Sequence, residues 1–69
     1  MEHEIKESLI LLLRGIKNTD GVAVAKEIAR LDEFASRGRG RLHAQLEHFL
    51  AGRSYVKALR FLEERETGG

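Results

Sequence analysis

Residues 5–16 read I-K-E-S-L-I-L-L-L-R-G-I. A strand would place its apolar residues at every second position, and this stretch does not. At about 100° per residue, Ile5, Leu9, Leu12, Leu13 and Ile16 fall on one face instead. The spacing i, i+4, i+7, i+8, i+11 is that of an amphipathic helix, and it predicts one over 3–17. Ile10 and Leu11 do not share that face. They point sideways and back, where a solitary surface helix should be polar.

The rest of the chain follows the same period. Asn18-Thr19-Asp20-Gly21 is a turn in which Thr19 or Asp20 can accept hydrogen bonds from the first free N–H groups of the next helix. A second helix is expected over 22–36, with Val24, Ile28, Leu31 and Ala35 as its stripe and Phe34 at the edge. Lys26, Arg30 and Glu33 form its wet side. Gly38 and Gly40 stop it, because glycine takes positive φ without steric cost. A third helix is expected over 41–51, with Leu42, Leu46, Phe49 and Leu50 inward. Gly52 stops that helix, and Ser54 is placed to cap a fourth over 55–66. Tyr55, Val56, Ala58, Leu59, Phe61 and Leu62 leave helix four apolar on most sides, which marks a buried helix. The expected fold is all-α, a small bundle of four short helices in a single domain (1–66), followed by a frayed tail (67–69).

With 69 residues and no cysteine, neither disulfides nor thiolate zinc can support this domain. A single core of this size rarely supplies more than about 3–5 kcal/mol. Ile10 and Leu11 lie off the core face of helix one, and helix four is apolar over more than half its circumference. Pairing two copies would cover both. The sequence therefore predicts a homodimer, with Ile10, Leu11, Val56 and Phe61 at its contact, or docking on another protein.

The net charge of +1 hides an asymmetry. Residues 1–33 hold five Lys/Arg against seven Asp/Glu, a net −2. Residues 34–62 hold six against one, a net +5, and residues 63–69 return −2. The basic middle consists of Arg37, Arg39, Arg41, Arg53, Lys57 and Arg60. Cations in this number can meet carboxylates of a partner or phosphates of a nucleic acid. Few aromatics are present to stack single strands, and Glu64 opposes phosphate.

Catalysis and metal binding find little support. His43 and Glu47 are four apart, the separation of two ligands on one helix face, but a metal needs three or four. No serine stands in a G-x-S-x-G elbow, and no Gly-rich phosphate loop of the Walker or dinucleotide type is present. No catalytic residue, metal or cofactor is expected. The longest apolar run, Leu9 to Leu13, is far short of the roughly 20 residues needed to cross a bilayer. Glu2, Glu4 and Glu7 crowd the N-terminus where a secretory signal would be positive. The expectation is a cytoplasmic protein that makes no membrane contact. Its reading is a helical protein–protein interaction module, an assembly or regulatory subunit without chemistry, with a nucleic-acid-binding regulator as the alternative.

Leu42 to Glu64, L-H-A-Q-L-E-H-F-L-A-G-R-S-Y-V-K-A-L-R-F-L-E-E, resembles the C-terminal half of short uncharacterised bacterial α-helical proteins. The shared elements are H-F-L, R-S-Y, K-A-L and a final F-L. The resemblance implies a recurring corner at Arg53, Ser54 and Tyr55, and carries no activity with it.

Overall fold

The structure, a computed structural model, describes residues 2–67 as four helices. They are α1 (Glu2–Lys17), α2 (Gly21–Arg37), α3 (Ala44–Ala51) and α4 (Tyr55–Thr67). The glycines of the expected tail, Gly68 and Gly69, lie outside the described residues.

The all-α bundle is the one the periodicity requires. Ile5, Leu9 and Leu12 of α1 are buried, with Leu31 of α2, Leu46 and Leu50 of α3, and Ala58 and Leu62 of α4. The helices close a ring. α1 packs on α2 and α4, and α3 packs on the same two, so α1 and α3 stand diagonally across the core. Extents of 32 × 25 × 18 Å fit this arrangement, since two helices side by side occupy about 20 Å. An ion pair between Glu2 and Arg65 at 3.3 Å places the start of α1 against the end of α4, so these two run antiparallel.

Each connection has its own device. After α1, the Asp20 N–H bonds the Gly15 carbonyl at 2.8 Å and the Thr19 N–H bonds the Ile16 carbonyl at 3.2 Å. This is a Schellman pattern, and Thr19 supplies its left-handed residue at φ 56°. Asp20 then starts α2, its Oδ1 accepting from the Ala23 N–H at 3.2 Å. One residue thus closes α1 and opens α2. The second Schellman pattern ends α3. There Ser54 N–H bonds Phe49 O at 2.8 Å and Arg53 N–H bonds Leu50 O at 3.1 Å, with Arg53 at φ 59°. Ser54 stands at the start of α4, its carbonyl accepting the first intrahelical bond from Ala58 at 2.9 Å.

The link between α2 and α3 differs from its sequence reading. α3 begins at Ala44, three residues later than the apolar spacing suggests. The reason is Gly38. Its carbonyl accepts from both Arg41 and Leu42, at 2.8 and 2.9 Å, and this turn folds the Leu42 side chain back onto Gly38. Leu42 is buried from the loop, not from a helix. Gly38 itself has φ −87°, so its value here is the absence of a Cβ; Gly40, at φ +81°, is the glycine that uses its backbone freedom. His43 then caps α3, its Nδ1 accepting from the Gln45 N–H at 3.1 Å.

Among the described residues, Glu27 is the one charged side chain in the buried set, at 5% exposure. The Ser8 hydroxyl donates to its Oε1 at 2.7 Å, and the Arg30 guanidinium stands 3.7 Å away. This pair crosses from α1 to α2. Glu27 lies three residues after Val24 and four before Leu31, squarely on the core stripe, so its position was visible in the spacing.

Candidate functional site

The surface feature with the most chemistry is a groove between α3 and α4. The antiparallel turn at 52–54 sets the two helices side by side. Phe49 of α3 meets Phe61 of α4 edge to face, with centroids 6.2 Å apart, and the His43 ring packs on Phe61 at 5.0 Å. Arg65 lies over the Phe61 ring at 5.6 Å. The aromatic pair is only half buried and forms the floor of a cleft of about 220 Å³. Gln45, Lys57, Arg60 and Glu64 rim it.

The basic middle is dispersed around this end of the bundle. Arg37 is engaged by Glu33 at 2.6 Å, one turn earlier on α2. Arg39 lines a separate cleft between α2 and α3, with Asp32, Ser36 and Glu47. Arg41 is exposed in the loop. Lys57 and Arg60 are three apart on α4 and share one side of it, while Arg53 stands before the helix as the left-handed residue of the turn. Among the described residues, Arg39, Arg41, Arg53, Lys57 and Arg60 make no ion pair.

The exposed apolar residues form no single patch. Leu11 is 41% exposed and lies with Ile10 and Glu7 on an outward cleft of α1. Val56 is 58% exposed. Five residues separate it from Phe61, which places the two about 140° apart around α4. Of the four residues expected at a contact, Ile10 and Leu11 are together, Phe61 faces the α3 groove, and Val56 faces outward alone. Val22 on α2 is 83% exposed, and Ile16, expected on the core face of helix one, is 55% exposed because it lies in the last turn of α1, at the corner with α2. Isolated apolar side chains of this kind are ordinary on a protein surface.

The chain matches no protein-family model, no curated protein and no solved structure. The likeness of Leu42–Glu64 to short bacterial proteins therefore stands on its quoted residues alone. The corner it singles out is real as geometry: Arg53 is the left-handed residue and Ser54 opens α4, while the Tyr55 hydroxyl is buried without a hydrogen-bond partner among the described residues.

The groups with chemical potential have structural tasks. His43 Nδ1 caps α3, and Glu47 Oε1 accepts the Gly40 N–H at 3.2 Å across the same loop. Ser8 is buried and donates to Glu27. Among the described residues no group of three or more His, Asp or Glu side chains is placed to hold a metal ion. No described helix is long and apolar enough to cross a membrane.

What sequence reasoning missed is the groove. Phe49 is expected in the inward stripe of helix three and Phe61 on the apolar arc of helix four at a contact with another chain; the signal that joins them is the short 52–54 connection, which brings α3 and α4 together.

Proposed function

We propose that this chain is a non-catalytic helical interaction module that works by contact with another helical chain, self-association into a homodimer being its simplest form. The observation that carries this reading is the α3–α4 groove. A half-buried aromatic floor beside unengaged cations suits an apolar anchor flanked by a carboxylate, the combination an amphipathic helix presents. Aromatic side chains and arginine are also the residues that most often dominate contact energies. Ile10 and Leu11 supply an apolar surface of the complementary kind on α1. The absence of chemistry in this reading rests on the engagement of His43, Glu47 and Ser8 in the fold. Sedimentation equilibrium from micromolar to millimolar protein tests it. A mass that rises with concentration is expected, and a folded monomer throughout would end the reading.

A second reading, a nucleic-acid-binding regulator, draws on the five cations without a described partner. Phosphate contacts would make affinity fall steeply with salt. Titration of a fluorescent duplex and a single strand at two salt concentrations checks it, and no binding at low salt would exclude it. Glu47 and Glu64, interleaved with the cations, favour a protein partner of mixed charge over a phosphate backbone.

A further inference from the structure

We infer that the partner is a second copy of this chain, whose α1 lies parallel to α4 in the α3–α4 groove and sets Glu7, Leu11 and Arg14 against Lys57, Phe61 and Glu64. This rests on the interaction-module reading and specifies its surface.

The argument begins with spacing. Glu7, Leu11 and Arg14 recur at i, i+4, i+7 and form one line on the outward side of α1. Lys57, Phe61 and Glu64 recur at the same interval on α4 and border the groove. Each line spans seven residues, about 10 Å of helix. The two are therefore commensurate, with an apolar residue at the middle position of each.

Charge then selects the direction. Laid parallel, Glu7 meets Lys57 and Arg14 meets Glu64, two attractions either side of Leu11 on Phe61. Laid antiparallel, Glu7 meets Glu64 and Arg14 meets Lys57, two repulsions. Like charges set opposite each other suppress the wrong arrangement. These groups are available for the purpose. Arg14, Lys57 and Glu64 make no ion pair with a described residue, and the His3–Glu7 pair at 3.2 Å is largely surface-exposed and so weak. Leu11 is 41% exposed in one copy and has the half-buried Phe49–Phe61 floor to cover in the next.

Symmetry follows from the ring. α1 stands diagonally across from α3, so the ridge and the groove lie on different sides of one copy. The contact is heterologous: a pair of copies leaves one ridge and one groove free, so the dimer is the first step and further copies add in succession.

The test uses the full-length chain and exposed positions, so circular dichroism serves as the check that each variant is folded. Glu7→Lys and Lys57→Glu each weaken association on the order of tenfold, and the double variant, which restores the opposite charges in reversed order, recovers most of the loss. Leu11→Arg removes the anchor and weakens it roughly 10- to 100-fold. At concentrations between the wild-type and variant dissociation constants, an equimolar mixture of Leu11→Arg, which keeps its groove, with Lys57→Glu, which keeps its ridge, gives chiefly a 1:1 dimer, where wild type forms longer assemblies. Wild-type association with single variants that behave like wild type would overturn this surface and leave the interaction module standing. A wild-type chain that stays monomeric throughout would remove both.

Discussion

Replacing Gly38 with alanine sets two effects of opposite sign against each other. The position has φ −87° and ψ 4°, a conformation alanine adopts freely. Restricting the unfolded chain there would stabilise the fold by about 0.4–1 kcal/mol. The added methyl, however, would stand 2.6 Å from Leu42 Cγ and 2.7 Å from Leu42 Cδ1, with the Phe34 carbonyl at 3.0 Å. Leu42 is a buried member of the core and is tied to Gly38 through its own N–H, so it cannot retreat without loosening the turn. Overpacking of this kind costs about 1–3 kcal/mol. Strain wins, and Gly38→Ala is expected to destabilise by about 0.5–2 kcal/mol. In a Leu42→Ala background the principal clash is gone and only the tight Phe34 carbonyl remains. There the same substitution should lie within about 0.5 kcal/mol of neutral, a coupling of about 1–2 kcal/mol between the two sites. Urea unfolding followed by far-ultraviolet circular dichroism reads all four corners of the cycle, with the midpoint reporting stability and the slope verifying that the unfolded states compare. Additive costs would refute the reasoning, because they would mean that the loss at Gly38 comes from the backbone and not from Leu42.

Thr19 holds a left-handed conformation that a β-branched residue adopts at a cost. Thr19→Gly should therefore raise stability by about 0.5–1.5 kcal/mol, or about 4–8 °C in Tm per kcal/mol, and an unchanged or lower midpoint in thermal unfolding would contradict the turn as described. The buried Ser8–Glu27 pair should show the asymmetry of internal polar groups. Ser8→Ala alone is expected to cost about 1–3 kcal/mol by removing the hydrogen bond to a buried carboxylate oxygen that keeps only the Arg30 guanidinium, 3.7 Å away, whereas Ser8→Ala with Glu27→Leu should come within about 1 kcal/mol of wild type. A double variant as unstable as the single one, measured by denaturant unfolding, would show that Glu27 packs through its stem and that the hydrogen bond matters little.

Much of this architecture was legible in one dimension. A 3.6-residue period in 5–16 and its echoes downstream identify four helices, because burial of an apolar stripe is the main term a short helix has to gain. Turn chemistry was legible at Asp20, where a carboxylate beside free N–H groups has an obvious use. It was less legible at 52–54. The glycine pattern placed the stop at Gly52, yet Arg53 takes the left-handed conformation, because the hydrogen-bond frame of the turn, not residue preference, chose which position bends. The start of α3 was displaced for a related reason. Leu42 satisfies the helical period, but Gly38 offers it a closer seat from the loop.

The candidate site divides along the same line. The sequence by itself determined which residues are basic, which are aromatic and that Ile10 and Leu11 lie off the core face of α1, since these depend only on identity and a fixed angle per residue. It could not say that Lys57 and Arg60 would border a groove without an ion pair, or that Phe49 and Phe61 would form one floor while Val56 stood off it. Those are facts about distances between helices. They follow from the ring order, which brings α3 beside α4 and sets α1 across the core, and ring order is decided only when all four stripes are buried at once.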